Sequence, residues 1–280
     1  MARHLVCLTY DFDAVAAHGA QATTSLAPDP GSWSSYYGLD RILGMLDRER
    51  VRGTFFAAGS TLSQHADTAK ALVGDGHEIG HHGWDHRRPN NMDRRAEEEH
   101  LLRGMEVIDA LTGHTPSGYR SPSWGHSPHT VDLLLANGFV YDSSLMGHDH
   151  RPYRTRVPGD RPSVRADVYG APTTLIEMPV NWSIDDYTRN EWAALPGGLA
   201  TLGFKSSRDL LQGWQEDYDT MADSEHWGVV VYTFHPFVSG QGKRMLAMQR
   251  LIRYLRENGA DFVTMSEAAE EAGAHIDPIC

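Results

Sequence analysis

Short apolar runs alternate with longer amphipathic ones along nearly the whole chain, and this rhythm restricts the fold more than any other feature. The segment "HLVCLTY" (4–10) reads as a buried strand, "YGLDRILGMLDRE" (37–49) has helical periodicity, and "VRGTFFAA" (51–58) is again a strand. A helix over "LSQHADTAKALVGDG", with Ser60 or Ser63 as its cap, leads to the strand "HEIGH" (77–81). The long helix "NMDRRAEEEHLLRGMEVIDALTG" ends at Gly113, and its run "RRAEEEH" reads as a solvated face. Strands over 117–121, 139–144, 173–180 and 227–235 follow, separated by helices over "SPHTVDLLLANG" and "SSRDLLQGWQEDYDTM". The helix "GKRMLAMQRLIRYLRENG" and the closing "ADFVTMSEAAEEAG" complete the series. Seven or eight strands, each followed by a helix or long loop, imply an α/β fold with a parallel sheet, most economically closed into a barrel. An open doubly wound sheet is the alternative, although no glycine-rich phosphate loop is present.

At 280 residues the chain fits one such barrel, so a single domain over 1–280 is expected. Two stretches rich in Gly, Pro and small polar residues interrupt the rhythm, 14–35 and 147–172, and loops of that length read as lids or subunit contacts. The formal net charge is -12, which argues against nucleic acid or an anionic membrane as partner. The apolar run at the N-terminus is broken by Tyr10 and Asp11, too soon for a signal peptide, and no run of about 18 apolar residues occurs. A soluble cytoplasmic protein is expected. Cys7 and Cys280 read as a core thiol and a tail thiol.

"GDGHEIGHHGWDH" (74–86) contains four histidines, and His77 to His81 spell the H-E-x-x-H pattern of helical zinc proteases. That pattern works only on a helix, and Gly74, Gly76 and Gly80 each penalise a helix interior by roughly 1 kcal/mol relative to alanine. A strand is expected there instead, with His77 or His81 turned into the core and its ring hydrogen-bonded. His82 and His86 share the same spacing and fall where the strand ends.

In a parallel barrel the carboxyl ends of the strands meet at one mouth. The first strand ends in Asp11-Phe12-Asp13, and strand alternation turns both carboxylates one way and Phe12 the other. Later strands end in His82 and His86, in Arg120, in Asp142 and in His235. Two imidazoles and one carboxylate supply three ligands to a divalent ion and leave a position for water, the catalytic arrangement, with the second aspartate free to act on that water.

The ordered motifs "TYDFD", "HHGWDH", "GYRSPSW" and "TFHP" resemble the polysaccharide deacetylase (NodB-homology, carbohydrate esterase 4-like) superfamily over nearly the whole chain. "YDSSLMGHD", "IEMPVNWSIDD" and "MQRLIRYLRENG" are similar to its intracellular branch, which includes a peptidoglycan-deacetylase-like protein, cyclic imide hydrolases and allantoinases. The resemblance implies a distorted (β/α)7-type barrel. It places Asp13, His82 and His86 on the metal triad, Asp11 on the catalytic base, Arg120 on the arginine that orients the base, and His235 on the general acid. The implied cofactor is a divalent metal, Zn2+ first, with Mn2+, Co2+ or Ni2+ also compatible. A backbone N–H near Trp124, after the Pro122 turn, is the implied oxyanion donor.

Two departures from the family pattern bear on the substrate. Phe12 separates the aspartates that sugar deacetylases carry side by side, and Gly83 stands where a Ser or Thr is usual. With the expected compartment, they point to hydrolysis of a non-peptide C–N bond in a small cyclic imide or linear amide. N-deacetylation of a glycan containing N-acetylglucosamine is the alternative, and a non-catalytic carbohydrate-binding barrel is a reading from another class. Trp84, Trp124, Trp182 and Trp192 are candidates for an aromatic pocket wall, with Asp142 as a further substrate contact. Asp185 and Asp186 read as rim residues or turn caps, and His18, His126, His148 and His150 as surface residues. Members of the branch form tetramers, so a homo-oligomer is the implied assembly.

Overall fold

The computed structural model describes residues 2–17, 37–157, 170–187 and 206–276, together with the backbone of 192–194 and 200–202. Its strands are β1 (Arg3–Phe12), β2 (Thr54–Ala57), β3 (Glu78–His81), β4 (Gly118–Tyr119), β5 (Tyr141–Asp142), β6 (Tyr153–Arg156), β7 (Pro172–Glu177), β8 (Trp192–Ala194), β9 (Ala200–Leu202), β10 (Trp227–Phe234) and β11 (Asp261–Phe262). Its helices are α1 (Leu39–Glu49), α2 (Gly59–Gln64), α3 (Ala66–Gly74), α4 (Arg94–Thr112), α5 (Thr130–Ala136), α6 (Ser207–Ser224), α7 (Pro236–Ser239), α8 (Gly242–Glu257) and α9 (Met265–Ala272).

The main sheet runs β10-β1-β2-β3-β4-β5-β7, parallel throughout, with β6 added antiparallel at the edge and β11 pairing the start of β1. Seven parallel strands with helices outside make the expected α/β architecture a curled, incomplete barrel. The seam lies between β10 and the β7–β6 edge, where among the described residues a bridge between Asp185 and Thr233 and the Val229 N–H donating to the His150 carbonyl stand in place of a ladder.

Alternation along β1 sorts its side chains into two layers. Val6, Leu8, Tyr10 and Phe12 face a core shared with α1, α6 and α8, whereas Leu5 and Cys7 join a second cluster with Phe56, Met178, Val231 and the buried face of α9. Asp11 follows the inward parity, and Phe12 turns outward as expected. The register then decides what shares the mouth. Phe12 pairs with Ala57, Ala57 with His81, His81 with Tyr119, Tyr119 with Asp142 and Asp142 with Glu177. The next residue on each chain segment therefore lies one level higher, and Asp13, His82, Arg120 and Ser143 converge. On the other side of β1, Tyr10 pairs with Phe234, which sets Asp11 beside His235.

Several local expectations change. The helix after β2 is split at His65 (φ -127) into α2 and α3, and neither Ser60 nor Ser63 caps it. Part of 147–172 is regular, since β6 pairs with β7, while 158–169 and most of 14–35 lie outside the described residues. Glu97, in the run expected to be solvated, is buried and accepts from the Ser127 and Thr130 hydroxyls. Cys7 is a buried free thiol, and Cys280 and His18 lie outside the described residues. No helix among the described residues is long and apolar enough to cross a membrane.

Residues 78–81 are a strand, which removes the helical protease reading. Both suspect histidines are structural. The Gly53 N–H donates to His77 Nδ1 at 3.0 Å, while His81 Nε2 lies 3.0 Å from the Leu101 carbonyl and its Nδ1 accepts from the Gly83 N–H at 3.1 Å. Burial pushes His81 down to about 3, so it is neutral. The close approach of α4 to His81 requires Gly104, because a methyl there would overlap Nε2. Gly104→Ala is expected to cost about 1–3 kcal/mol by overpacking, read as a lower urea midpoint with an unchanged slope.

Candidate metal centre and active site

Asp13, His82 and His86 bring their ligand atoms within 4.8 Å of one another at the mouth. His82 Nε2 lies 3.3 Å from Asp13 Oδ1, and His86 Nε2 lies 3.5 Å from Asp13 Oδ2. The His82 tautomer follows from its other nitrogen. Nδ1 is 2.7 Å from the Arg120 carbonyl, which can only accept, so Nδ1 carries the proton and Nε2 presents its lone pair. That Nε2 is fully buried and makes no hydrogen bond within the protein. Burial lowers the His82 pKa despite Asp11 and Asp13 nearby, which keeps the imidazole in the neutral, ligating form. A buried lone pair, a carboxylate and a second imidazole open to solvent on one side fit a divalent cation with room for water.

The loop between the two imidazoles is shaped by left-handed residues, Gly83 at φ 71 and His86 at φ 60. A Cβ on Gly83 would stand 3.1 Å from the Pro122 ring. The small residue at this position thus follows from two constraints, the dihedral and the neighbouring loop.

Asp11 lies between a guanidinium and two imidazoles. Its Oδ1 accepts from Arg120 Nη1 at 2.8 Å, and its Oδ2 lies 3.8 Å from His82 Nε2 and 3.9 Å from His235 Nε2. Burial pushes this carboxyl up, but Arg120, His82 and His235 together hold it below the usual carboxylate range. It is an anion at neutral pH. Arg120 is wholly buried, and it also donates to Thr9 Oγ1, to the Ser143 carbonyl and to Ser143 Oγ, with its guanidinium 4.1 Å above the Phe56 ring.

His235 stands opposite Asp11. Asp186 takes its backbone N–H at 3.0 Å and its Nδ1–H at 2.8 Å, and accepts from the Ser239 hydroxyl as well. Burial disfavours the charged ring, yet Asp186 and then Asp185 and Asp11 outweigh it and raise the His235 pKa to about 10. The imidazolium therefore persists at neutral pH with Nε2–H directed at the site. Asp186 was read from the sequence only as a rim or cap residue. It follows the short 3-10 turn Trp182–Ile184, beyond the end of β7. Asp185 does act as a cap, accepting from the Tyr187 N–H at 2.7 Å. Thr9 and Ser143, which hold Arg120, carried no sequence signal.

The aromatic candidates separate. Trp124 and Trp182 pair with ring centroids 4.0 Å apart, and Trp182 is 42% exposed, so the two form an open aromatic face. Trp84 does not join them: Arg103 lies 3.6 Å over its ring and Gly59 of α2 packs against it, which makes it a packing residue. For Trp192 only the backbone is described. Asp142 is completely buried against Ser144 and His126, with no surface left for a substrate contact. His126 and His150 are likewise largely buried rather than on the surface.

The barrel mouth thus gathers a candidate metal triad flanked by a buried carboxylate and a buried imidazole. Comparison with known proteins agrees. The family profile described as polysaccharide deacetylase matches residues 16–141. The chain is 32% identical over 282 residues to a peptidoglycan deacetylase from Helicobacter pylori, covering 95% of each protein. It is 29% identical over 293 residues to the peptidoglycan deacetylase-like protein FGM2 of Gibberella zeae, covering 95% of this chain and 85% of that one. A Mycobacterium smegmatis structure described as a polysaccharide deacetylase superimposes with a TM-score of 0.84 at 30% identity, over 100% of this chain and 93% of that one. An allantoinase structure shares the fold at 22% identity, with a TM-score of 0.78, over 98% of this chain and 91% of that one. The chain belongs to the polysaccharide deacetylase family, whose members are hydrolases of C–N bonds other than peptide bonds.

Asp13→Asn is expected to abolish stoichiometric metal in elemental analysis together with activity. Asp11→Asn keeps the metal and loses activity, at a stability cost of about 3–5 kcal/mol because Arg120 is left without its anion. Full turnover by the Asp11 variant would overturn the assignment of the base.

Proposed function

We propose that the protein removes the acetyl group from an N-acetylated amino sugar, with Asp11 as base, His235 as acid, Arg120 orienting the base, and Asp13, His82 and His86 holding a divalent metal. The observation that carries this reading is the opposed pair. Asp11 and His235 lie 3.9 Å apart across the site and are driven to opposite charge states by different partners, the pattern of an assigned base and acid. Zn2+ is the first choice for an N2O ligand set, and Mn2+, Co2+ and Ni2+ suit the same donors.

When bound, the metal supplies Lewis-acid polarisation of the amide carbonyl and a water of lowered pKa. Asp11 accepts the proton of the attacking water, and Arg120 keeps its second oxygen directed inward. His235 Nε2 hands a proton to the departing nitrogen as the C–N bond breaks, so the products are acetate and the free amine. The Trp124 N–H is committed to the Ser121 carbonyl at 2.8 Å, which leaves the neighbouring Ser123 N–H as the backbone donor for the oxyanion. The Trp124–Trp182 face offers a stacking surface for a sugar ring.

A small cyclic imide was the substrate favoured from sequence. The relatives that align over nearly the full chain bear deacetylase names, whereas the allantoinase likeness extends to the fold alone, so the acetylated sugar takes precedence. Metal-loaded protein is expected to release acetate from N-acetylglucosamine oligomers and to stop after chelation. Ring opening of cyclic imides or hydantoin-like rings without acetate release would reverse the order.

The pH profile tests the roles separately. His235 is protonated at neutral pH and loses its proton as pH rises, so activity falls on the basic side. Asp186→Asn removes the principal support of that charge, and its basic limb is expected at lower pH than in the wild type. His235→Ala should lower kcat by about 10²–10⁴-fold with metal content unchanged. Equal basic limbs in wild type and Asp186→Asn would remove His235 as the acid.

A further inference from the structure

Beneath the site lies a buried polar cluster that the chemistry above does not use. Asp142 and Glu177 pair across β5 and β7, one register level below Arg120 and Ser143, and both are fully buried. His126 Nε2 lies 2.9 Å from Asp142 Oδ2, and Ser144 Oγ donates to Asp142 Oδ1 at 2.7 Å. Ser144 Oγ in turn accepts from the Ser121 N–H at 2.8 Å, while Glu177 Oε1 takes the N–H groups of Ser144 and Leu145, each at 2.8 Å. Burial and the adjacent Asp142 carboxylate push Glu177 well above the usual carboxylate range, while His126 helps hold Asp142 below it.

The contacts converge on one turn. Ser121 and His126 bracket the segment that carries Ser123 (φ 52) and Trp124 (φ 54), two consecutive residues in the left-handed region. Such backbone is costly for side-chain-bearing residues and persists only where its surroundings over-determine it. Here both ends of the segment reach the same carboxylate, one through Ser144 and one directly.

We propose that Asp142 is a positioning residue for the hydrolysis: it staples both ends of the 121–126 turn and so aims the Ser123 N–H and the Trp124 ring at the metal centre. The catalytic part of this inference rests on the deacetylase reading above, whereas the staple itself does not.

The test uses full-length Asp142→Asn and Ser144→Ala, with hydrogen exchange by mass spectrometry, metal content and steady-state kinetics on N-acetylglucosamine oligomers. Both variants are expected to exchange faster than wild type in peptides covering 120–127 and equally in peptides covering 78–86. Metal stoichiometry should hold, and kcat should fall about tenfold or more, since small displacements of a catalytic group have effects of that order. Exchange in 120–127 within twofold of wild type in Ser144→Ala would overturn the staple, and this variant serves even where Asp142→Asn fails to fold. Faster exchange with unchanged kcat would overturn the positioning role. If the wild type itself releases no acetate while exchange behaves as expected, the deacetylase reading fails and the staple stands.

Discussion

The Arg120 guanidinium, buried inside the curled sheet, is the contact on which the site's geometry depends. It binds Asp11 and Thr9 of β1, lies on Phe56 of β2, belongs to the end of β4 and donates twice to Ser143 beyond β5. The ends of β1, β2, β4 and β5 are thereby fixed relative to one cation. Desolvating a guanidinium is expensive, and such a pair adds little net stability over an apolar substitute, but it is costly to break and demands one arrangement of its partners. The same residue's carbonyl accepts the His82 Nδ1–H, so orientation of the Asp11 carboxylate and of the His82 ring is set at a single position.

That arrangement gives two carboxylates of the same segment different chemistry. Asp11 and Asp13 are two residues apart and share one face, so the strand alone makes them equivalent. Their partners do not. Asp13 meets two imidazole nitrogens at 3.3 and 3.5 Å, whereas Asp11 meets a guanidinium at 2.8 Å and keeps its other oxygen toward His82 and His235. The difference in surroundings thus comes from residues just beyond β3, β4 and β10 rather than from the aspartates themselves.

This division also explains what was legible in the sequence. Strand ends are visible because apolar runs stop where charged groups begin, so Asp11, Asp13, His82, His86, Arg120 and His235 emerge without coordinates. Their meeting point depends on parallel register, which a repeated strand–helix unit imposes almost automatically. Asp142 follows the same rule and misleads, because parity and strand length place it one level below the mouth. Trp84 misleads for a related reason: loop position does not reveal that α4 supplies Arg103 to cover its ring. Thr9 and Ser143 were invisible because small polar residues carry no pattern of their own, and Asp186, visible as a rim or cap residue, is identified only by the His235 ring it holds.

The incomplete seam of the barrel gives Asp186 a second consequence. Between β10 and the β7–β6 edge, the backbone of the described residues provides a bridge at Asp185 and Thr233 and a hydrogen bond from Val229 to His150. Among the described residues Asp186 adds three side-chain contacts near the mouth, to the backbone and ring of His235 and to Ser239. A carboxylate that raises the imidazole's proton affinity is therefore also the polar stitch between the two edges of the sheet. Opening of the seam would lower the proton affinity of the His235 ring and displace it from Asp11 together, so closure of the barrel and the charge of that imidazole are one physical condition.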